Sequence, residues 1–338
     1  NALKLDFAAG SAPDVIGIAP GADLEQYKSQ LAPLADYASQ DLGEDWQDKF
    51  TEASFTTIKL SGDEIYAFPS AMSAAGTVWY NNKLMTENGV ESFPATWEEL
   101  QTAAQTLRGA GQIPLMFGGK DNWQNYDMFI TIMATINKDL CNGIFALENE
   151  WTESDVVKAF DYYQKLFTDG IVQDGALSTT LYNEGYSQWK DDDGNSTIPM
   201  IFNGSWDMGS LKAENSFYEN FSSNDIKVAT MPSIEGKPGA VLTAPDVAWG
   251  VNANSANKEA AWEFVKWLCY DMQQEVVDGL GFFSVLKDAP SPTVDLTDDY
   301  KAAYDVISAA AASDNTVGFR SSFYTKLNDA LFDQLQLL

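Results

Sequence analysis

The chain has 338 residues, 45% of them hydrophobic, with 49 acids against 20 bases for a formal charge of −29, and it has no histidine. That balance repels nucleic-acid phosphates and anionic membrane faces, and the missing imidazole excludes Ser-His and Cys-His triads, histidine general bases and imidazole-ligated zinc. The length exceeds what one hydrophobic core holds, so two domains are expected, and no run of eighteen apolar residues suggests a membrane span.

In chain order, ALKLDFAAG reads as a helix, the Gly-Ser-Ala-Pro stretch as a turn, and residues 15–19 as a buried strand. The chain opens on Asn1 with no basic-then-apolar leader, which reads as an export signal removed or left out. Helical stretches follow near 24–30 and 45–54. The runs FTTIKL and IYAFP, joined by SGDE, read as a hairpin.

From Gly76, GTVWYNN is apolar and β-rich, and KLMTENG forms a short helix ending at Gly89. Thr96 and Glu99 are spaced as a capping box ahead of the helix WEELQTAAQTLRGAG, which stops at glycine. IPLMF is a buried strand ending in the Gly118-Gly119 break. YDMFITIMATI and ESDVVKAFDYYQKLFTDG are helical, the second with Val156, Phe160, Tyr163 and Phe167 on one face. The strand IPMIF, a helix after Trp206, the strands IKVATMP and VAWGVNA, the amphipathic helix NKEAAWEFVKWLCYD, and helices near 299–312 and 322–335 complete the alternation of an α/β protein.

Several motifs fall away on inspection. KDDDGNS at Lys190 to Ser196 looks like a calcium loop, but Trp189 stands where an acid is needed and no correctly placed glutamate follows, so a solvated loop is expected. GLGFFS has two glycines of a dinucleotide fingerprint but follows a helix and lacks the third. Sequons occur at Asn195, Asn203 and Asn220, of which Asn203 lies beside a buried strand where no glycan fits. Cys141 and Cys269 are far apart among apolar neighbours and read as buried free thiols. No cofactor and no metal site is expected.

The aromatic residues carry more. Ten tryptophans and 13% aromatics exceed what core filling needs. Trp123 stands in GGKDNWQNYD among Asn122, Gln124 and Asn125 directly after a strand break, and Trp206 follows the strand end in FNGSWD beside Asp207. An indole fringed with amides and carboxylates suits a pyranose, whose C–H face lies on the ring while its hydroxyls bond to the polar groups. The competing reading is a tryptophan that only plugs the surface. For Trp262 and Trp267, both in one amphipathic helix, packing or surface cover is the expectation.

AAGSAPDV, SGDEIYAFP with VWYNNKL behind it, FPATWEEL, IPMIFNGSWD and WGVNANSANKEAAWEFVKWL, in that order, resemble the landmarks of the extracellular solute-binding proteins of ATP-binding-cassette importers, specifically the carbohydrate-binding family that includes maltose-binding proteins. The resemblance implies a two-lobed periplasmic-binding-protein-like α/β fold with a hinge and an interlobe cleft. It implies lobe one at 1–117 plus 252–312, with an N-terminal unit absent ahead of it, and lobe two at 118–251 plus 313–338. It places Trp206 and Trp123 as stacking residues, Asp207, Asn122, Asn125 and Asp246 as polar candidates, and Phe283 and Arg320 as further contacts.

The function so implied is capture of a carbohydrate, an oligosaccharide, and its delivery to the importer's permease subunits by a monomer that is either a cell-surface lipoprotein or periplasmic. No catalysis is expected. One alternative is a glycoside hydrolase using a carboxylate pair. Another keeps the fold and binds a polyamine-like solute.

Overall fold

The computed structural model describes residues 2–59, 64–185, 197–210, 225–279, 281–294, 298–322 and 324–338. Among them no helix is long and apolar enough to cross a membrane. In chain order the elements are α1 (Ala2–Ala9), β1 (Val15–Ile18), α2 (Ala22–Tyr27), α3 (Ala35–Leu42), β2 (Ala67–Pro69), β3 (Met72–Asn81), α4 (Asn82–Glu87) and α5 (Trp97–Gly109). Then come β4 (Leu115–Met116), α6 (Asn122–Phe145), α7 (Ser154–Thr168), β5 (Met200–Gly204), α8 (Asp207–Ser210), β6 (Ile226–Thr230), β7 (Val241–Pro245) and β8 (Ala248–Val251). Helices α9 (Lys258–Lys266), α10 (Gln273–Asp278) and α11 (Asp298–Ala311), strand β9 (Thr316–Val317) and helix α12 (Thr325–Leu335) close the chain.

The contacts divide the chain into two compact units. Unit one is Asn1–Ser73, Ala244–Val294 and Ser321–Asn328, and unit two is Ala74–Thr243, Asp295–Arg320 and Asp329–Leu338. This differs from the expected division, which put 74–117 and 295–312 in lobe one and 244–251 and 321–328 in lobe two. The reason is packing. Val78, Met85, Trp97, Leu100 and Leu115 share one core with Phe129, Tyr163 and Phe202, whereas β8 pairs with β1 and β2.

Unit one is built on a three-stranded antiparallel sheet ordered β1-β8-β2, with Val15 opposite Val251 and Ala67 opposite Gly250. Its core holds a knot of aromatic rings. Phe68 lies 5.0 Å from Trp46, 5.7 Å from Phe50 and 5.3 Å from Trp262. That knot explains why the expected hairpin does not form: Phe55 turns inward against Phe68 at 5.8 Å, so residues 56–59 run on from a short 3-10 helix (Glu52–Phe55) as turns and a bend, and the second run pairs with β8 instead. The stretch read as a helix at 45–54 is two 3-10 turns, and α3 and β7 carry no periodic signal strong enough to have marked them.

Trp262 is 2% exposed and belongs to the core, its Nε1–H donating to Asp41 Oδ2 at 2.7 Å. Trp267 is exposed and stacks on Phe264 at 5.6 Å. Both readings of those tryptophans, core and surface cover, are therefore met, one by each.

Unit two has a six-stranded sheet ordered β4-β5-β3-β7-β9, with β6 also paired to β3. β5 and β6 run antiparallel to β3, while β4 runs parallel to β5 and β9 to β7. Helix α5 starts as expected, with Thr96 Oγ1 accepting from Glu99 N at 3.2 Å. The Glu99 carboxylate reaches back one residue further than a strict capping box, to Ala95 N at 2.7 Å. Helix α6 is apolar nearly all round and almost wholly buried at its first half, and it kinks at Asn137, whose side chain accepts from Leu140 N at 3.1 Å.

Cys141 lies in unit two and Cys269 in unit one. Both are buried free thiols, and burial pushes each well above the ordinary thiol range. The calcium-like stretch 190–196 and the sequons at Asn195 and Asn220 lie outside the described residues. Asn203, the third sequon, is 1% exposed inside β5.

Candidate functional site

The end of β5 is tied down from several sides. Thr77 Oγ1 donates to the Asn203 carbonyl at 3.0 Å, Trp79 Nε1–H donates to the Gly204 carbonyl at 3.2 Å, and Ser205 exchanges two bonds with Ala74: its N–H to the Ala74 carbonyl at 2.7 Å and its Oγ from the Ala74 N–H at 3.0 Å. A chain fixed this firmly aims the next side chain. Trp206 folds its indole back over Gly204, into space that any Cβ at 204 would claim. Asp207 starts α8, 1% exposed, and its carboxylate accepts from the Asn203 amide.

The start of α6 is clamped just as tightly. Gln124 accepts from Gly118 N at 2.8 Å and donates to the Phe202 carbonyl at 2.9 Å, tying α6 to the ends of β4 and β5. Asn125 donates to the Gly119 carbonyl and accepts from the Tyr163 hydroxyl. Trp123 is thereby held edge to face with Trp206, ring centres 5.7 Å apart at 74°. Tyr182, from a later stretch of unit two, stacks on Trp123 at 5.9 Å and 21°.

A charged pair underlies these rings. The Arg320 guanidinium lies 4.5 Å from the Trp206 ring and 5.9 Å from the Trp123 ring. It donates twice to Asp127, Nε to Oδ1 at 3.0 Å and Nη2 to Oδ2 at 2.7 Å. Asp127 is 1% exposed, so its carboxylate depends on this planar, two-point partner to be tolerated inside α6. The guanidinium in turn finds aromatic faces that attract a cation.

The residues singled out in the sequence are thus placed unequally. Trp206, Trp123 and Arg320 come together in unit two. Asp207 sits behind them, buried. Asn125 does not reach the surface at all: it is 0% exposed with both ends of its amide occupied, because α6 begins at Asn122 and its fourth residue turns into the core. Asn122 is exposed at the helix start, on a pocket shared with Lys120, Tyr126, Phe332 and three aspartates, Asp121, Asp329 and Asp333. Asp246 and Phe283 belong to unit one. The Asp246 N–H donates to the Ala71 carbonyl at 3.0 Å, and Phe283 exchanges backbone bonds with Met72.

Tyr182, Asp127, Gln124 and Asn203 were not picked out. Asp127 had a usable signal, as the one acid in the apolar run YDMFITIMATI, which obliges a buried partner. Burial raises the Tyr182 phenol above its ordinary range, the Asp207 carboxylate adds to this, and Trp206, Asn203 and Arg320 partly offset it. The Trp206 Nε1–H is buried without a hydrogen-bond partner among the described residues. No group of three or more His, Cys, Asp or Glu able to hold a metal ion occurs among them.

The family described as bacterial extracellular solute-binding protein matches residues 1–275. A binding protein of Brucella abortus (strain 2308) is 25% identical over 309 residues, 85% of this chain and 66% of that protein. A maltotriose-binding protein of Pyrococcus abyssi (strain GE5 / Orsay) is 25% identical over 304 residues, 85% of this chain and 58% of that protein. The chain thus spans just under two thirds of the length of the curated relatives it matches first. A solved chitin oligosaccharide binding protein shares the fold, with a TM-score of 0.76 at 22% identity over 99% of this chain and 85% of that one.

Proposed function

We infer, from the premise that this chain belongs to the bacterial extracellular solute-binding protein family, that its solute is a carbohydrate, an oligosaccharide, handed on to the permease of an ATP-binding-cassette importer. The family consists of binding proteins rather than enzymes. The observation that carries the inference is the Trp123-Trp206 pair, held 5.7 Å apart over a neutralised Asp127-Arg320 bridge. Rings so fixed offer flat faces to sugar C–H groups, and the buried Trp206 Nε1–H, without a partner among the described residues, is a donor that a ligand hydroxyl can satisfy. An orphaned donor of this kind costs about 1–3 kcal/mol, so its satisfaction by ligand favours the bound state. The binding of maltotriose by one relative and of chitin oligosaccharide by a protein of the same fold supports the same reading.

The two rival readings lose ground to the same geometry. A polyamine would compete with Arg320, whose guanidinium already lies over the Trp206 ring and repels a second cation. A glycoside hydrolase needs two carboxylates at the substrate, but Asp127 and Asp207 are each 1% exposed and engaged by Arg320 and Asn203. Release into the periplasm or a lipid anchor, and a monomeric state, complete the proposal.

A thermal-shift screen of the full chain against neutral oligosaccharides and polyamines tests it. A ligand at a hundred times its dissociation constant adds about 2.7 kcal/mol to stability. The proposal requires that shift from a neutral sugar and that added salt leave it in place, since only an ionic contact is screened. A shift from amines alone, lost in salt, overturns it.

A further inference from the structure

We propose that Tyr182 supplies the outward stacking face of the site for a pyranose ring, with Trp123 as the fixed ring behind it. The proposal rests on the carbohydrate reading above. One face of each inward ring is taken, Trp123 stacking with Tyr182 and Trp206 carrying Arg320, and the two meet edge to face. Tyr182 is the member of the trio that faces outward, 47% exposed, while Trp123 and Trp206 are half-buried.

An exposed tyrosine on a loose loop would make a poor platform, but this one is registered on the stretch that precedes Trp123. Asp121, at the start of α6, accepts from Leu181 N at 2.8 Å. Lys120 N donates to the Thr179 carbonyl at 3.1 Å, and its ammonium lies 3.6 Å from Glu184. Glu184 in turn accepts from Thr180 N at 2.7 Å. Gly118 makes the approach possible, because a Cβ there would stand 2.6 Å from Leu181 N and 2.7 Å from Leu181 Cβ. The stretch 118–121 therefore fixes both Trp123, through α6, and Tyr182, through its backbone neighbours, so that their stacking is built in before a ligand arrives. Preorganised rings lose little freedom on binding, which is what a weakly attractive C–H face requires.

The hydroxyl end has its own use. It faces Asp207, Trp206 and Asn203, and burial with the Asp207 charge keeps it protonated. That holds the hydroxyl end inward and leaves the ring face for the ligand.

The test is calorimetric titration of the full chain and of Tyr182→Phe and Tyr182→Ala with maltotriose and with triacetylchitotriose, together with the thermal midpoint of each unliganded protein. The proposal requires Tyr182→Ala to lose roughly tenfold or more in affinity for the sugar that the unaltered chain binds, with an unchanged midpoint, and Tyr182→Phe to keep affinity within about fivefold. Unchanged affinity in Tyr182→Ala overturns it while leaving the carbohydrate reading standing, and a fall in midpoint with unchanged affinity assigns Tyr182 to covering Trp123. If the unaltered chain binds neither sugar nor any other neutral oligosaccharide, the carbohydrate reading itself fails.

Discussion

A methyl group on Gly204 would overlap the six-membered ring of Trp206 and stand 2.8 Å from the Ala74 carbonyl oxygen, so the glycine that ends β5 and the tryptophan two residues on are a matched pair. The neighbours cannot yield easily, because Ala74 is bonded twice to Ser205. Gly204→Ala is therefore expected to destabilise the protein by about 1–3 kcal/mol, as overpacking does, and to weaken carbohydrate binding by displacing the indole. Urea unfolding followed by tryptophan fluorescence checks the first effect and calorimetry the second.

Asp127 is buried within α6 and its charge is balanced by Arg320. Removing the carboxylate leaves the guanidinium beneath Trp206 without its planar partner. Asp127→Ala should cost about 3 kcal/mol, the lower end of the range for breaking a buried pair because Arg320 keeps some contact with water. Urea denaturation at neutral pH measures it, and added salt should change the unaltered protein's midpoint little.

Among the described residues, Asp41, Asp155, Glu184 and Asp278 are held below their ordinary range, each by a hydrogen bond first: from Trp262, Asn137, Thr180 and Thr293 respectively. A carboxylate with a lower folded pKa than unfolded pKa gives stability that is present above the unfolded value and is lost as pH falls through the folded one. The urea midpoint is therefore expected to fall as pH drops below about 4. In Asp41→Ala the midpoint should start lower at neutral pH and fall less on acidification, which paired denaturation curves at the two pH values would show.

The α/β alternation and most elements were legible because long periodic stretches such as α5, α7 and α9 commit their residues to one face. The hairpin at 55–69 was not legible, because its first arm is decided by the packing of Phe55 among aromatic rings brought together from distant segments. The division into units failed for a related reason: β3 and α5 read equally well in either half, and only the shared core with Phe202 assigns them. At the site, Trp123 and Trp206 stood out by type and by neighbours, whereas Arg320 came only from the resemblance. Asn125 misled, since polar character alone does not tell the outside of a helix start from its inside. Tyr182 gave no signal, because what brings it onto Trp123 is the missing side chain of Gly118, sixty-odd residues earlier in the chain.

Calorimetric titration of the full chain and of Trp206→Ala with one neutral oligosaccharide drawn from the thermal-shift screen tests the central claim most directly. The account predicts binding to the unaltered chain that survives added salt, and a loss of about 2 kcal/mol in Trp206→Ala, as for a buried aromatic anchor. Equal affinity in the two proteins would contradict it.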